Sequence, residues 1–217
     1  MRTSNNGVFA LAMSEGIVPA PYLDSVGVWT FGIGHTAAAG IPDPAKMARG
    51  NPANLDGAVR VALRVFRDDL ASYEAAVTRA LRVPVEQHEF DALVSFHFNT
   101  GGIGRATLTR LLNEGDKAGA AEAFMGWRRP PEIIPRRQAE QRLFRGGVYP
   151  SGRVPIYSVT GSNSPGSVVA QMTKGELLAL LPDRSPAPRP EPRPTQGSGG
   201  IVAAIMALLR RITGGRG

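Results

Sequence analysis

Glu15, Asp24 and Thr30 are spaced nine and six residues apart, within Ser14-Glu15-Gly16, Tyr22-Leu23-Asp24 and Trp29-Thr30-Phe31-Gly32-Ile33-Gly34-His35. Two carboxylates and a hydroxyl can together cleave a glycosidic bond. One carboxylic acid protonates the departing oxygen, while a second carboxylate answers the positive charge that develops on the sugar or activates a water. On this reading Glu15 is the general acid. Asp24 and Thr30 hold and activate a water on the opposite sugar face, as in an inverting enzyme. The bland alternative makes Glu15 a surface charge at a helix end and Asp24 and Thr30 turn and strand residues. The spacing alone does not separate the two; the company the triplet keeps does.

Asn5 or Asn6 caps an expected helix whose apolar residues Val8, Phe9, Ala12 and Met13 follow helical spacing. That helix ends near Gly16 and so places Glu15 at its C-terminus. From Pro19 to His35 the chain mixes Pro, Gly, aromatic and β-branched residues, which suits a short hairpin or three-stranded sheet carrying Asp24 and Thr30. Residues 36–56 are punctuated by Gly, Pro and Asn and read as loop. From Leu55 to about Leu81, Val59, Leu63, Phe66, Leu70, Tyr73 and Val77 keep a 3.6-residue period, the mark of a long amphipathic helix. A second helical region opens near Pro84. Further on, Thr173-Lys174-Gly175-Glu176 ahead of Leu177, Leu178, Leu180 and Leu181 reads as a capping box opening a short helix that Pro182 stops.

The triplet, the Gly32-Ile33-Gly34-His35 run and the later stretches resemble the phage T4-type lysozymes. Those stretches are Phe90 to Gly102, Leu108 to Asp116, Ala120 to Phe124, Trp127 and Arg136 to Phe144, in that order, and the resemblance covers roughly residues 5–149. It implies an α+β, mainly α, two-lobed lysozyme-like fold with a small antiparallel sheet, a long interlobe helix and a helical C-terminal lobe. The implied activity is that of an endolysin cutting the β-1,4 bond between N-acetylmuramic acid and N-acetylglucosamine, without cofactor or metal. Glu15, Asp24 and Thr30 fall on the family's catalytic positions. Phe98 and Asn99 fall beside its sugar groove, His35 and Asp69 on a supporting ion pair, and Arg137 on a partner for Glu15. His97 stands where an apolar or small residue is expected. His88 and His97 have no Cys, His or carboxylate pattern around them that would make a metal site.

The formal net charge is +7 and the pI about 10.5, a balance suited to an anionic polymer or membrane surface. From Asp183 onward six Arg face only Asp183 and Glu191, so +4 of that charge sits in the tail. Cysteine is absent, which excludes disulfides and thiolate metal sites. The short apolar run Val8 to Met13 precedes Glu15 directly and reads as catalytic-domain helix, not as a leader. Export would then depend on a partner that opens the inner membrane, a holin by the resemblance. The expected setting is synthesis in the host cytoplasm and action as a monomer on periplasmic peptidoglycan, with no role for nucleic acid.

The expected organisation is a catalytic domain over 1–182, a Pro/Gly/Ser-rich disordered linker over 183–200 and a basic amphipathic helix over 201–217. The apolar stretch from Ile201 to Ile212 reaches only ~18 Å as a helix, short of a ~30 Å hydrocarbon core, and fits an anionic membrane interface better than a span. Two other functions remain open at this point. One is a lytic transglycosylase, which needs a single acid and forms an anhydro sugar. The other is a membrane-disrupting or wall-binding protein acting through its basic tail.

Overall fold

The structure is a computed structural model that describes residues 1–181. The expected linker over 183–200 and the helix over 201–217 lie outside the described residues. The fold is α+β and mainly α, with seven α-helices, a three-stranded antiparallel sheet and a separate hairpin among the described residues. Two compact units divide it: Met1–Leu11 with Leu70–Ser151, and Ala12–Asp69 with the segment from Gly152 onward.

Helix α1 spans Asn5–Glu15. Its cap is Ser4, not Asn5 or Asn6: the Ser4 Oγ accepts from the Gly7 amide at 3.0 Å. Serine's short side chain reaches an N3 amide that would otherwise have no acceptor. Gly7, Val8, Phe9, Ala10, Leu11 and Ala12 are all buried, so α1 is enclosed on every side instead of presenting one apolar stripe. Gly16 then ends the helix at φ 72°, with its amide on the Ala12 carbonyl at 2.8 Å. A left-handed C-terminal residue of this kind suits glycine, which has no Cβ to clash.

In the second unit β1 (Val18–Leu23), β2 (Trp29–Gly32) and β3 (His35–Thr36) form the sheet, in that order. Tyr22 pairs with Thr30 and Leu23 with Trp29, while the register slips between Val18 and Tyr22. Pro19 and Pro21 lie inside that slip. Neither has an N–H to give a ladder, so the middle of β1 cannot pair regularly. Helix α2 (Leu55–Ala80) buries Val59, Leu63, Phe66, Leu70 and Val77 along one face, as the period requires.

The first unit contains α3 (Gln87–Thr100), α4 (Thr107–Asn113), α5 (Lys117–Ala123) and α6 (Ile134–Gly146). Glu86 and Glu89 form a capping box at the start of α3. Its core is aromatic: Phe96 lies edge-on to Phe124 at 5.6 Å and to Trp127 at 5.2 Å, and Phe124 reaches Phe144 at 5.4 Å. Each such buried ring contributes roughly 1.5–3 kcal/mol relative to exposure.

Residues beyond 150 add structure that composition did not announce. Strands β4 (Val154–Val159) and β5 (Pro165–Met172) form an antiparallel hairpin, followed by α7 (Lys174–Leu180). Thr173 and Glu176 make the expected capping box on α7. The hairpin lies along β1, where Val18, Ala20, Tyr22, Tyr157 and Val159 share one buried cluster.

Candidate active site

Glu15, Asp24 and Thr30 belong to the same unit. Glu15 is the last residue of α1 and is half-buried. Asp24 lies one residue beyond β1, in the turn that leads to β2, and not on the sheet itself. Its backbone amide bonds the Val28 carbonyl at 3.0 Å, closing that turn. The carboxylate takes part as well: Oδ1 accepts from the Val26 amide at 2.9 Å and the Val28 amide at 2.8 Å. Aspartate caps a tight turn readily because its short side chain reaches amides two and four residues on.

Thr30 sits on β2, 3% exposed, and its hydroxyl donates to the Val28 carbonyl at 3.1 Å. Asp24 therefore grips both the amide and the carbonyl of Val28, and the Thr30 hydroxyl adds a second donor to that carbonyl. Tyr22 pairs directly with Thr30, and the Asp24 backbone pairs with Val28. Side chains directly opposite across a ladder share a face, so Tyr22 and Thr30 project to the same side.

Tyr22, which sequence reasoning passed over, feels the charges of both candidate carboxylates. Its ring is buried, and its hydroxyl is held well above the usual tyrosine range, first by burial and then by the negative charges of Glu15 and Asp24. Both carboxylates thus act on one phenol. The signal was present in the sequence as the i, i+2 spacing of Tyr22 and Asp24 at a strand end.

His35 and Asp69 meet in the same unit, with Nδ1 2.8 Å from Oδ2, while the His35 Nε2 lies 2.7 Å from the Pro42 carbonyl oxygen. The ring is 2% exposed. Between them Asp69 and Pro42 tie β3 to α2 and to the loop after β3.

Phe98, Asn99 and Arg137 lie in the other unit. Phe98 is 5% exposed and packs 4.8 Å from the Tyr73 ring, so its aromatic face is engaged there. Arg137 is fully buried; its Nη2 donates to Asn99 Oδ1 at 2.7 Å and to Glu140 Oε1 at 3.1 Å, and its guanidinium lies 5.1 Å from the Phe96 ring. Glu140 also accepts from Ser95 Oγ at 2.7 Å and Arg136 Nε at 3.1 Å. Asn99 and Arg137 thus join one polar network between α3 and α6. His97, the departure from the expected pattern, lies edge-on to Tyr73 at 5.6 Å. Burial, reinforced by the Arg79 charge, lowers its pKa to about 4.

The family model of phage lysozyme matches residues 12–140. The chain belongs to the phage lysozyme family. An endolysin of Salmonella phage P22 is 34% identical over 150 residues, spanning 66% of this chain and 98% of that protein. Among solved structures, an endolysin from Escherichia coli O157:H7 phage FAHEc1 covers 70% of this chain and 98% of its own, at 30% identity and a TM-score of 0.60. The muramidase domain of SpmX from Asticaccaulis excentricus covers 66% and 97% respectively, at 29% identity and a TM-score of 0.54. The hairpin β4–β5 lies beyond the residues that the family model matches.

Proposed function

We propose that this peptidoglycan-hydrolysing endolysin is an inverting muramidase in which Glu15 is the general acid and Asp24 with Thr30 positions the attacking water. The observation that carries the reading is the division of labour around Val28. Thr30 spends its proton on the Val28 carbonyl, so its oxygen is left to accept. Asp24 Oδ1 is occupied by two amides, and Oδ2 has no hydrogen-bond partner among the described residues. A water that donates one proton to Asp24 Oδ2 and the other to Thr30 Oγ1 turns its lone pair away from both, toward the anomeric carbon of a bound glycan. The bond from that carbon to the bridging oxygen breaks as Glu15 delivers its proton to the oxygen. The water oxygen bonds the carbon from the opposite face, and Asp24 takes the water's proton.

The polymer is the wall's alternating glycan, and the bond cut is the β-1,4 linkage from N-acetylmuramic acid to N-acetylglucosamine. The likeness to the muramidase domain of SpmX supports that choice. Phe98 and Asn99 are assigned to glycan binding, and His35, Asp69 and Arg137 to support. Access to the wall runs through a holin, and the enzyme works as a monomer without metal or cofactor. The arginines of 183–217 supply attraction to anionic membranes. Their deletion should leave hydrolysis of purified sacculi unchanged and abolish salt-sensitive binding to anionic liposomes.

The deciding experiment is product analysis on purified sacculi. A muramidase of this kind yields reducing muramic acid ends with the anomeric configuration inverted in the first product. Products ending in 1,6-anhydromuramic acid would move the protein to the lytic transglycosylases, for which a water-holding pair is redundant.

A further inference from the structure

The eight residues Gly16 to Leu23 connect Glu15 to Asp24 and so set how far apart the two carboxylates stand. Their own sheet holds them at Val18, Tyr22 and Leu23 but not in between. Pro19 and Pro21 offer no amide, and the β1–β2 register slips between Val18 and Tyr22. The hairpin β4–β5 adds a second hold on this segment at both ends. Near Glu15, the Ile17 amide donates to the Pro155 carbonyl at 3.0 Å and the Tyr157 amide to the Ile17 carbonyl at 2.8 Å. The Tyr157 ring edge lies so close to Gly16 that a Cβ there would strike it. Beside Asp24, the Leu23 amide donates to the Asn163 carbonyl at 2.7 Å. Between the two ends, Val18, Ala20 and Tyr22 pack on Tyr157 and Val159.

The hairpin is itself held by further hydrogen bonds. Asn51 grips Val159 with a pair of bonds, accepting from its amide at 2.7 Å and donating to its carbonyl at 3.0 Å. At the tip, Thr160 N donates to Ser164 O at 2.8 Å and Asn163 N to Thr160 O at 2.9 Å. Asn163 has φ 58°, the one non-glycine residue with positive φ among the described residues. Asparagine tolerates that left-handed backbone and a β-branched residue does not. The contorted tip aims the Asn163 carbonyl at Leu23.

We propose that the β4–β5 hairpin is a positioning element for catalysis, with the Asn163 carbonyl fixing the turn that carries Asp24 while Pro155 and Tyr157 fix the end of the helix that carries Glu15. Residues outside the family-matched region thereby set the geometry of the catalytic pair. The inference rests on the assignment of Glu15 and Asp24 made above.

The test uses the full chain and three variants. Asn163→Val opposes the left-handed backbone, and Asn163→Gly keeps it. A third variant replaces Thr160–Ser164 by an Asn-Gly turn and so removes the carbonyl. With soluble glycan fragments, Asn163→Val and the shortened hairpin should lower kcat roughly tenfold to a hundredfold, the range for a misplaced reacting group. KM should stay within about twofold, and the Leu23 amide should lose its hydrogen-exchange protection. Asn163→Gly should recover most of the turnover lost in Asn163→Val. A shortened hairpin with kcat near wild type overturns the proposal, as does Asn163→Gly when it is as impaired as Asn163→Val. Should the shortened hairpin fail to fold, Asn163→Val alone decides. Asp24→Asn is measured alongside: full activity there overturns the catalytic assignment itself, independently of the hairpin.

Discussion

His35 and Asp69 join β3 to α2 through a contact of 2.8 Å in which the imidazole is 2% exposed. The second ring nitrogen faces the Pro42 carbonyl oxygen, which can only accept. Both ring nitrogens thus lie against acceptors, one on α2 and one in the loop after β3. Breaking such a buried pair leaves one charge without its partner, a loss of about 3–5 kcal/mol. Asp69→Ala should therefore lower stability by about 3 kcal/mol in urea denaturation, while the folded variant keeps its turnover. A double-mutant cycle with His35→Asn tests the pair directly, and a coupling energy near zero would refute it.

Glu15→Gln keeps the shape of the side chain and removes its transferable proton. Wall hydrolysis should fall roughly 10²–10⁴-fold, the contribution typical of acid catalysis, with an unchanged melting temperature. Thr30→Val has a different consequence, because it removes the oxygen proposed to accept from the water and leaves the Val28 carbonyl without its hydroxyl donor. Turnover should drop sharply in Thr30→Val and return in Thr30→Ser. Equal rates for the valine and serine variants would show that the hydroxyl has no part in the reaction.

The elements most legible in the sequence were those whose local chemistry and tertiary packing agree. The period of Val59, Leu63, Phe66, Leu70 and Val77 reads as helix because each residue is buried on one face. Thr173 and Glu176 read as a cap because both halves of the capping box lie within one turn. Asp24 was harder to place. Its turn is held by side-chain bonds to Val26 and Val28 that leave no trace in hydrophobic pattern. The α1 cap was misassigned to Asn5 or Asn6 because Ser4 is chosen by a distant residue: Asp91 accepts from the Ser4 amide at 3.0 Å and from its hydroxyl. The β4–β5 hairpin was missed because β5 is largely exposed and its residues alternate poorly between apolar and polar. Only its packing on β1 gives it meaning.

His97 is predicted to set the acid edge of stability. Its folded pKa of about 4 lies below the ordinary histidine value of 6.5, with burial as the main cause and Arg79 adding to it. Below 6.5 the unfolded chain gains a proton that the folded chain refuses. Stability is therefore lost as pH falls from 6.5 toward 4 and levels off below. The ring is partly exposed, so solvent screening reduces the effect to the order of 1 kcal/mol. His97→Phe should flatten this part of the pH–stability curve and fit the ring contact with Tyr73. Denaturation midpoints measured at half-unit pH steps check it, and an equally steep acid slope in the variant would count against His97.

The alkaline edge depends on Asp91 and Tyr149. Asp91 is 1% exposed and accepts from the Ser4 amide and hydroxyl, from Gln87 Nε2 at 2.9 Å and from the Tyr149 hydroxyl at 2.7 Å. Burial, then the hydrogen bond to Asp91, pushes the Tyr149 pKa up to about 12 from 10. Between those values the unfolded phenol ionises while the folded one keeps its proton. The stabilisation is thus fully present below pH 10 and lost as pH rises toward 12. Asp91→Ala should return Tyr149 toward 10, which phenolate absorbance can follow against Tyr149→Phe as the blank. The same substitution strands the Ser4 amide and should lower stability at neutral pH by about 2–4 kcal/mol. A neutral-pH loss with no movement of the Tyr149 titration would separate the two effects and assign Asp91 to the helix cap alone.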